Sequence, residues 1–174
     1  DDLPTPPLPE ATSTTLVEGP TEVSSGRCDT LNRARSMARD FSAPGSGLAG
    51  IVPALDYLTA SNRTNLGDEV KAFADGTLNA AGKHVVVIGG GDTAMDCVRT
   101  AVRQGAKAVK CLYRRDRANM PGSMREVKHA EEEGVEFVWL SAPEAFLGDD
   151  RVNAVRAHRM HLGLPDATGR QQVA

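Results

Sequence analysis

Residues 84–115 read HVVVIGGGDTAMDCVRTAVRQGAKAVKCLYRR, and this stretch decides the fold. His84 to Ile88 is a continuous β-branched run, which suits a strand buried on both faces of a parallel sheet. Three glycines break it. The residues after them place Ala94, Val98, Ala101 and Val102 on one helical face, and Gly105 suits a left-handed helix stop. "AVKCLY" then reads as a second strand. A further helix is expected in "PGSMREVKHAEEEG", where Ser123 and Glu126 have capping-box spacing and Gly134 ends the segment. "VEFVWL" is a third strand. Strand, helix, strand, helix, strand is the βαβ pattern of a doubly wound α/β domain with a central parallel sheet, a Rossmann-like dinucleotide-binding arrangement.

Outward from that unit the signals weaken. "GIVPALDYLTASN" places Ile51, Leu55 and Leu58 at helical spacing, with Pro53 in the first turn. Residues 63–83 link it to the first strand and have room for a short helix. "RVNAVRAHRMHLG" is expected to pair in a small antiparallel extension, and "PDATGRQQVA" reads as a hairpin turn into another strand. Residues 1–42 are rich in Pro, Thr, Ser and Glu, a composition too poor in apolar residues to offset chain entropy. They are expected to form a disordered arm preceding a domain at 43–174.

The bulk composition excludes several classes. The chain has 174 residues, 40% hydrophobic and 25% charged, with net charge −3. That size fits one domain, and the acidic balance argues against nucleic acid as a partner. No window approaches the roughly 18 apolar residues of a membrane span. Cys28, Cys97 and Cys111 are far apart, so neither a disulfide framework nor a metal site is indicated, and a cytoplasmic setting is expected. His129, His158 and His161 are scattered. The acids of "AEEEG" read as a solvated helix end, Trp139 as core, and Met120 and Met124 as gap fillers. No nucleophile–base pair is apparent, so no catalytic residue is assigned.

The glycine turn follows the pattern Gly89-x-Gly91-x-x-Ala94. Gly89 permits a tight exit from the strand, Gly91 removes a Cβ where a pyrophosphate would approach, and Ala94 keeps the helix close to the strand. Gly90 lies between them. Free amides and the positive end of the helix dipole would face the phosphates. Asp92 and Thr93 sit where either could cap the helix, and Asp92 suits a cap or a contact to ribose or nicotinamide better than one to phosphate. The alternative is a tight turn that binds nothing.

A site that prefers NAD places an acid at the end of the second strand. Here the strand ends in Arg114 and Arg115, planar forks suited to the 2′-phosphate of NADPH. Asp116 could pair with one of them or meet ribose. The alternative is a solvated basic turn.

Residues 84–140 resemble, nearly residue for residue, the NADPH-binding region of the small (beta) subunit of bacterial NADPH-dependent glutamate synthase, and "APGSGLAGIVPALDYLTASN" resembles the segment just before it. Both "GGGDTAMDCVRTAVRQGA" and "YRRDRANMPGS" occur in order. The resemblance covers about residues 43–174. It implies a flavoprotein that passes hydride from NADPH to FAD, with iron–sulfur clusters carrying electrons to a large subunit that makes glutamate from glutamine and 2-oxoglutarate. It also implies cofactor contacts at Gly89, Gly90, Gly91, Asp92, Thr93 and Ala94, and 2′-phosphate contacts at Arg114 and Arg115.

The family's cysteine-rich cluster region, its earlier FAD glycine motif and its later FAD-closing segment have no counterpart in this sequence. No FAD or iron–sulfur site is therefore expected on it, and the FAD domain is an expected partner along with the large subunit. A C-terminally truncated piece, a frame-shifted reading or an altered gene model would fit. The same module in a related flavin–iron–sulfur reductase, a stand-alone nucleotide-binding module, and a fragment without function are the alternative readings.

Overall fold

The computed structural model describes residues 15–18, 43–165 and 171–173. Its elements are β1 (Thr15–Glu18), β2 (Ile51–Pro53), α1 (Ala54–Asn65), α2 (Lys71–Ala74), β3 (His84–Ile88), α3 (Asp92–Arg103), β4 (Ala108–Tyr113), a 3-10 turn (Arg117–Asn119), α4 (Met124–Glu132), β5 (Glu136–Trp139), β6 (Ser141–Leu147), β7 (Ala154–Arg159), β8 (Leu162–Pro165) and β9 (Gln171–Val173). The strand–helix–strand–helix–strand reading of the central stretch holds, and the chain is an α/β protein. The five-stranded sheet runs β2-β1-β3-β4-β5. Its β3, β4 and β5 are parallel, whereas β1 is antiparallel to both β2 and β3.

The alternation of β3 sorts its side chains. Val85 and Val87 enter a core with Ala94, Val98 and Ala101 of α3, Val109 and Cys111 of β4, and Val127 and Ala130 of α4. Val86 and Ile88 point to the opposite face, where Leu112 and Val138 join Phe146, Val152 and Val155. Both faces of β3 are thus covered, as the valine run predicts. Among the described residues helices pack on one face only, where a doubly wound domain has them on both, and residues from the β6–β7 region cover the other. Burying a valine fully is worth about 1.5–3 kcal/mol, so the run is a principal stabiliser of the unit. Gly105 and Gly134 follow α3 and α4 at φ 82° and 92°, the left-handed stops expected of them.

Several expectations are corrected. Thr15–Glu18 lies within the arm expected to be disordered, yet it is a strand, with Leu16 opposite Val87 and Val17 opposite Val86. Composition averaged over 42 residues hides a four-residue β-prone run, and the edge of β3 offers unpaired amides that such a run satisfies. The other residues of 1–42, Cys28 among them, lie outside the described residues, as do 166–170 in the expected turn before β9. Ile51 belongs to β2, not to the helix. Because Pro53 is the N-cap, α1 starts at Ala54 and buries Ala54, Tyr57, Ala60 and Ser61, leaving Leu55 66% exposed.

The capping box does not form: Ser123 is the N-cap of α4 but its side chain caps nothing. Glu126 instead bonds Arg99 of α3. A charge-assisted bond between helices outweighs a neutral cap. The acids of 131–133 are likewise not simply solvated. Glu133 takes Arg99 Nη2 at 2.9 Å, Glu131 takes Arg117 at 2.6 and 2.9 Å, and Glu132 faces Lys128 at 3.8 Å.

Trp139 is half-buried, stacked on Phe137 at 4.9 Å and edge-on to Tyr113 at 6.4 Å. Met120 is buried, and Met124 is exposed. His158 lies on β7, but His161 falls between β7 and β8, so the two do not share a strand. No helix among the described residues is long and apolar enough to cross a membrane.

Candidate dinucleotide site

The parallel register brings the two halves of the site together. Ile88 pairs with Leu112, and the Gly89 amide donates to the Leu112 carbonyl at 3.1 Å. The glycine turn and the arginine pair therefore leave adjacent strands at the same, carboxyl edge of the sheet, where ligands of open α/β sheets bind.

Within the turn, each glycine has its own reason. Gly89 has φ 143°, a backbone that side chains with a Cβ rarely adopt. Gly91 is the N-cap of α3 at φ −86° and ψ 178°, which any residue reaches, so its backbone alone does not require glycine. Gly90 carries a requirement the sequence did not disclose. A Cβ there would lie 2.4 Å from Tyr113 Cδ2 and 2.5 Å from Cε2. The tyrosine ring packs directly against the turn. Ala94 is fully buried, which keeps α3 tight on β3.

Neither Asp92 nor Thr93 caps the helix, since α3 has no side-chain cap. The Asp92 carboxylate accepts instead from the Ser123 amide at 3.2 Å, on the segment before α4. The amides of Ala94 and Met95 donate to the Gly91 carbonyl at 2.9 and 3.2 Å. Those of Asp92 and Thr93 have no acceptor among the described residues. They are the orphan donors that a helix start offers to an anion.

At the other strand end, Arg114 is exposed and Arg115 half-buried. Neither has a carboxylate partner among the described residues, whereas Arg63, Arg99, Arg117 and Arg156 all do. The Arg115 Nε is buried with no hydrogen-bond partner. Asp116, which the sequence left open as a partner of the pair, is committed elsewhere. Its Oδ1 accepts from the Asn119 amide at 3.0 Å and from Asn119 Nδ2 at 2.7 Å, capping the 3-10 turn. Short-range capping thus turns the Asp116 carboxylate toward the 3-10 turn, and it forms no ion pair with either arginine.

The two cysteines here are not reactive groups. Cys97 and Cys111 are free and buried. Burial raises both thiols, that of Cys111 to about 12. Cys111 Sγ sits 3.3 Å from the Gly89 carbonyl, to which it donates.

Helix-start amides without an acceptor, a turn whose first glycine needs its special backbone, and guanidinium groups without a carboxylate partner among the described residues thus lie together at this edge of the sheet. The residues present fit a dinucleotide with an added phosphate. The model of the pyridine nucleotide-disulphide oxidoreductase family matches residues 36–163, and the chain belongs to that family of oxidoreductases. It is 74% identical over 134 residues to the glutamate synthase [NADPH] small chain of Azospirillum brasilense, which covers 77% of this chain and 28% of that protein. The Escherichia coli (strain K12) glutamate synthase [NADPH] small chain is 50% identical over 125 residues, 71% of this chain and 26% of that one. The chain thus spans little more than a quarter of the length of these relatives. Among solved structures, FprA from Mycobacterium tuberculosis in complex with NADPH superposes with a TM-score of 0.59 at 16% identity, over 78% of this chain and 43% of that one. That likeness supports the fold.

Proposed function

We propose that this chain is the NADPH-binding module of a glutamate-synthase-type flavin oxidoreductase. The turn at 89–94 takes the pyrophosphate: Gly89 and Gly90 shape it, Gly91 leaves room for the ligand, the Asp92 and Thr93 amides donate to it, and Ala94 keeps the helix start close. Arg114 and Arg115 take the 2′-phosphate. The observation that carries this reading is that neither Arg114 nor Arg115 has a carboxylate partner among the described residues, one strand from the glycine turn, and that the Arg115 Nε is left without a hydrogen bond. A guanidinium that no carboxylate neutralises is suited to pair with a phosphate through its planar fork.

When bound, NADPH supplies a hydride. The role of this chain is to bind and orient the nucleotide so that its nicotinamide lies against a flavin. By the resemblance to glutamate synthase small subunits, the acceptor is FAD, the onward route is iron–sulfur clusters, and a large subunit makes glutamate from glutamine and 2-oxoglutarate. The relatives' name, glutamate synthase [NADPH] small chain, supports the nucleotide and a larger partner chain.

Calorimetric titration with NADPH and NADH tests the reading. NADPH is expected to bind at least about tenfold more tightly, since one charged hydrogen bond is worth about 1.5–3 kcal/mol. Arg114→Ala with Arg115→Ala should bring the two affinities together. A folded chain that binds neither nucleotide overturns the proposal.

A further inference from the structure

We infer that Asp92 is a positioning residue, whose carboxylate docks the segment 120–123 onto the glycine turn and so holds that turn and the arginine pair as one rigid unit. The inference rests on the nucleotide reading above and adds to it a role for a side chain that the cofactor chemistry does not call for. A carboxylate at the mouth of an anion site would repel phosphate. Here Asp92 Oδ1 is engaged by the Ser123 amide at 3.2 Å.

A second bond runs beside the first, from the Gly122 amide to the Gly90 carbonyl at 2.9 Å. The approach is close: a Cβ on Gly122 would lie 3.0 Å from the Gly90 oxygen, a tight contact to which the carbonyl would have to yield by a few tenths of an ångström. Met120, two residues earlier, is buried in the core shared with Met95. The segment is thus anchored from below by a side chain and at its surface by two backbone donors.

The same segment continues back to the arginines. The Tyr113 hydroxyl donates to the Asn119 carbonyl at 2.9 Å. Asn119 Nδ2 donates to Asp116 Oδ1 at 2.7 Å and to Gln171 Oε1 of β9 at 3.0 Å. The Tyr113 ring in turn packs against Gly90. These contacts close a ring: glycine turn, segment 120–123, Asn119, Tyr113, and back to Gly90. Arg114 follows Tyr113 directly, so this ring braces the spacing that the β3–β4 register sets between the phosphate turn and the guanidinium groups. Asp92 adds a side-chain tie beside the Gly122–Gly90 bond.

The test compares Asp92→Ala, Asp92→Asn and Gly122→Ala in the full chain. Asparagine retains an oxygen able to accept from Ser123, so it separates the bond from the charge. Amide hydrogen exchange over residues 120–124, without nucleotide, should accelerate in Asp92→Ala and be rescued in Asp92→Asn. NADPH binding should weaken about tenfold in Asp92→Ala, the size of one lost charged hydrogen bond. Preference over NADH should shrink with it, and Asp92→Asn should recover most of both. Gly122→Ala leaves Asp92 intact and crowds the Gly90 carbonyl by a few tenths of an ångström, so its loss should be smaller than that of Asp92→Ala.

Unchanged exchange in Asp92→Ala would overturn the inference. So would tighter NADPH binding in both Asp92 variants, which would make the carboxylate a repulsive charge only, or an equal loss in both, which would make it a direct charged contact to the cofactor. A chain that binds neither nucleotide refutes the cofactor reading, and exchange alone then decides whether Asp92 holds the segment.

Discussion

Gly90→Ala probes the point where the glycine turn meets the core. The new Cβ would fall 2.4, 2.5 and 3.0 Å from Tyr113 Cδ2, Cε2 and Cγ. Carbon atoms rest at about 3.5–4.0 Å, so the ring must retreat by about 1 Å. It has little room, because Tyr113 is 2% exposed and meets Trp139 edge-on. Its hydroxyl bond to the Asn119 carbonyl, 2.9 Å long, would be strained or lost. Overpacking of this kind costs about 1–3 kcal/mol. The hydrogen bond adds about 1 kcal/mol. For a chain of this size a loss of about 2–4 kcal/mol lowers Tm by about 6–12 °C.

Urea denaturation and thermal unfolding followed by circular dichroism measure that cost. A double-mutant cycle with Tyr113→Ala assigns it: with the ring gone, Gly90→Ala should be nearly neutral, giving a coupling above about 1 kcal/mol. If Gly90→Ala is as stable as the parent, or costs the same in both backgrounds, the reasoning fails. Gly91→Ala is the contrast. Its backbone at φ −86° suits alanine, so its expected deficit is in NADPH titration, not in Tm.

Further outcomes can be stated for other positions. Arg99 bonds Glu133 and holds its carboxyl below the ordinary glutamate value of 4.5. A depressed carboxyl stabilises the fold above its unfolded value and loses that contribution as pH falls through its folded one. Glu133→Gln should therefore cost about 1 kcal/mol at pH 7, discounted for partial exposure, and progressively less in acid, as denaturation across pH would record. Gln104 accepts from the Tyr57 hydroxyl and the Ala80 amide, each at 2.9 Å, and donates to Ser61 at 3.0 Å. Its replacement by alanine should cost about 2 kcal/mol or more, measured by urea midpoint, because these partners lose bonds inside the fold. In a Cys28→Ser background, Cys97 and Cys111 should react with a thiol reagent only as fast as the chain opens, since burial raises both thiols and the thiolate is the reactive form.

The candidate site was legible in its residues more than in its workings. Gly89 and Ala94 have the roles their spacing implies, because a strand-to-helix turn is a local structure written in neighbouring residues. Arg114 and Arg115 stand where the strand length puts them. What Asp92, Asp116 and Glu126 bond to was not legible. Asp92 was expected to cap its helix or meet a ligand, Asp116 to pair with an arginine or meet ribose, and Glu126 to complete a capping box. Asp116 went to the cap of the next turn, Asp92 to a loop 31 residues away and Glu126 to a helix 27 residues away. An acid at a helix start has several competing donors, and only the folded arrangement selects among them.

The sequence by itself determined the strand–helix–strand unit of 84–113, its parallel order and the edge at which a ligand would sit. Those follow from hydrophobic period, glycine placement and strand length, all short-range properties. Only the tertiary structure decided that Thr15–Glu18 completes the sheet beside β3, that residues from the β6–β7 region rather than helices cover its second face, and that Leu55 points outward. It also decided that Gly90 must be glycine. That requirement comes from the Tyr113 ring on the neighbouring strand, and a contact between residues 23 positions apart exists only once the strands have paired in register.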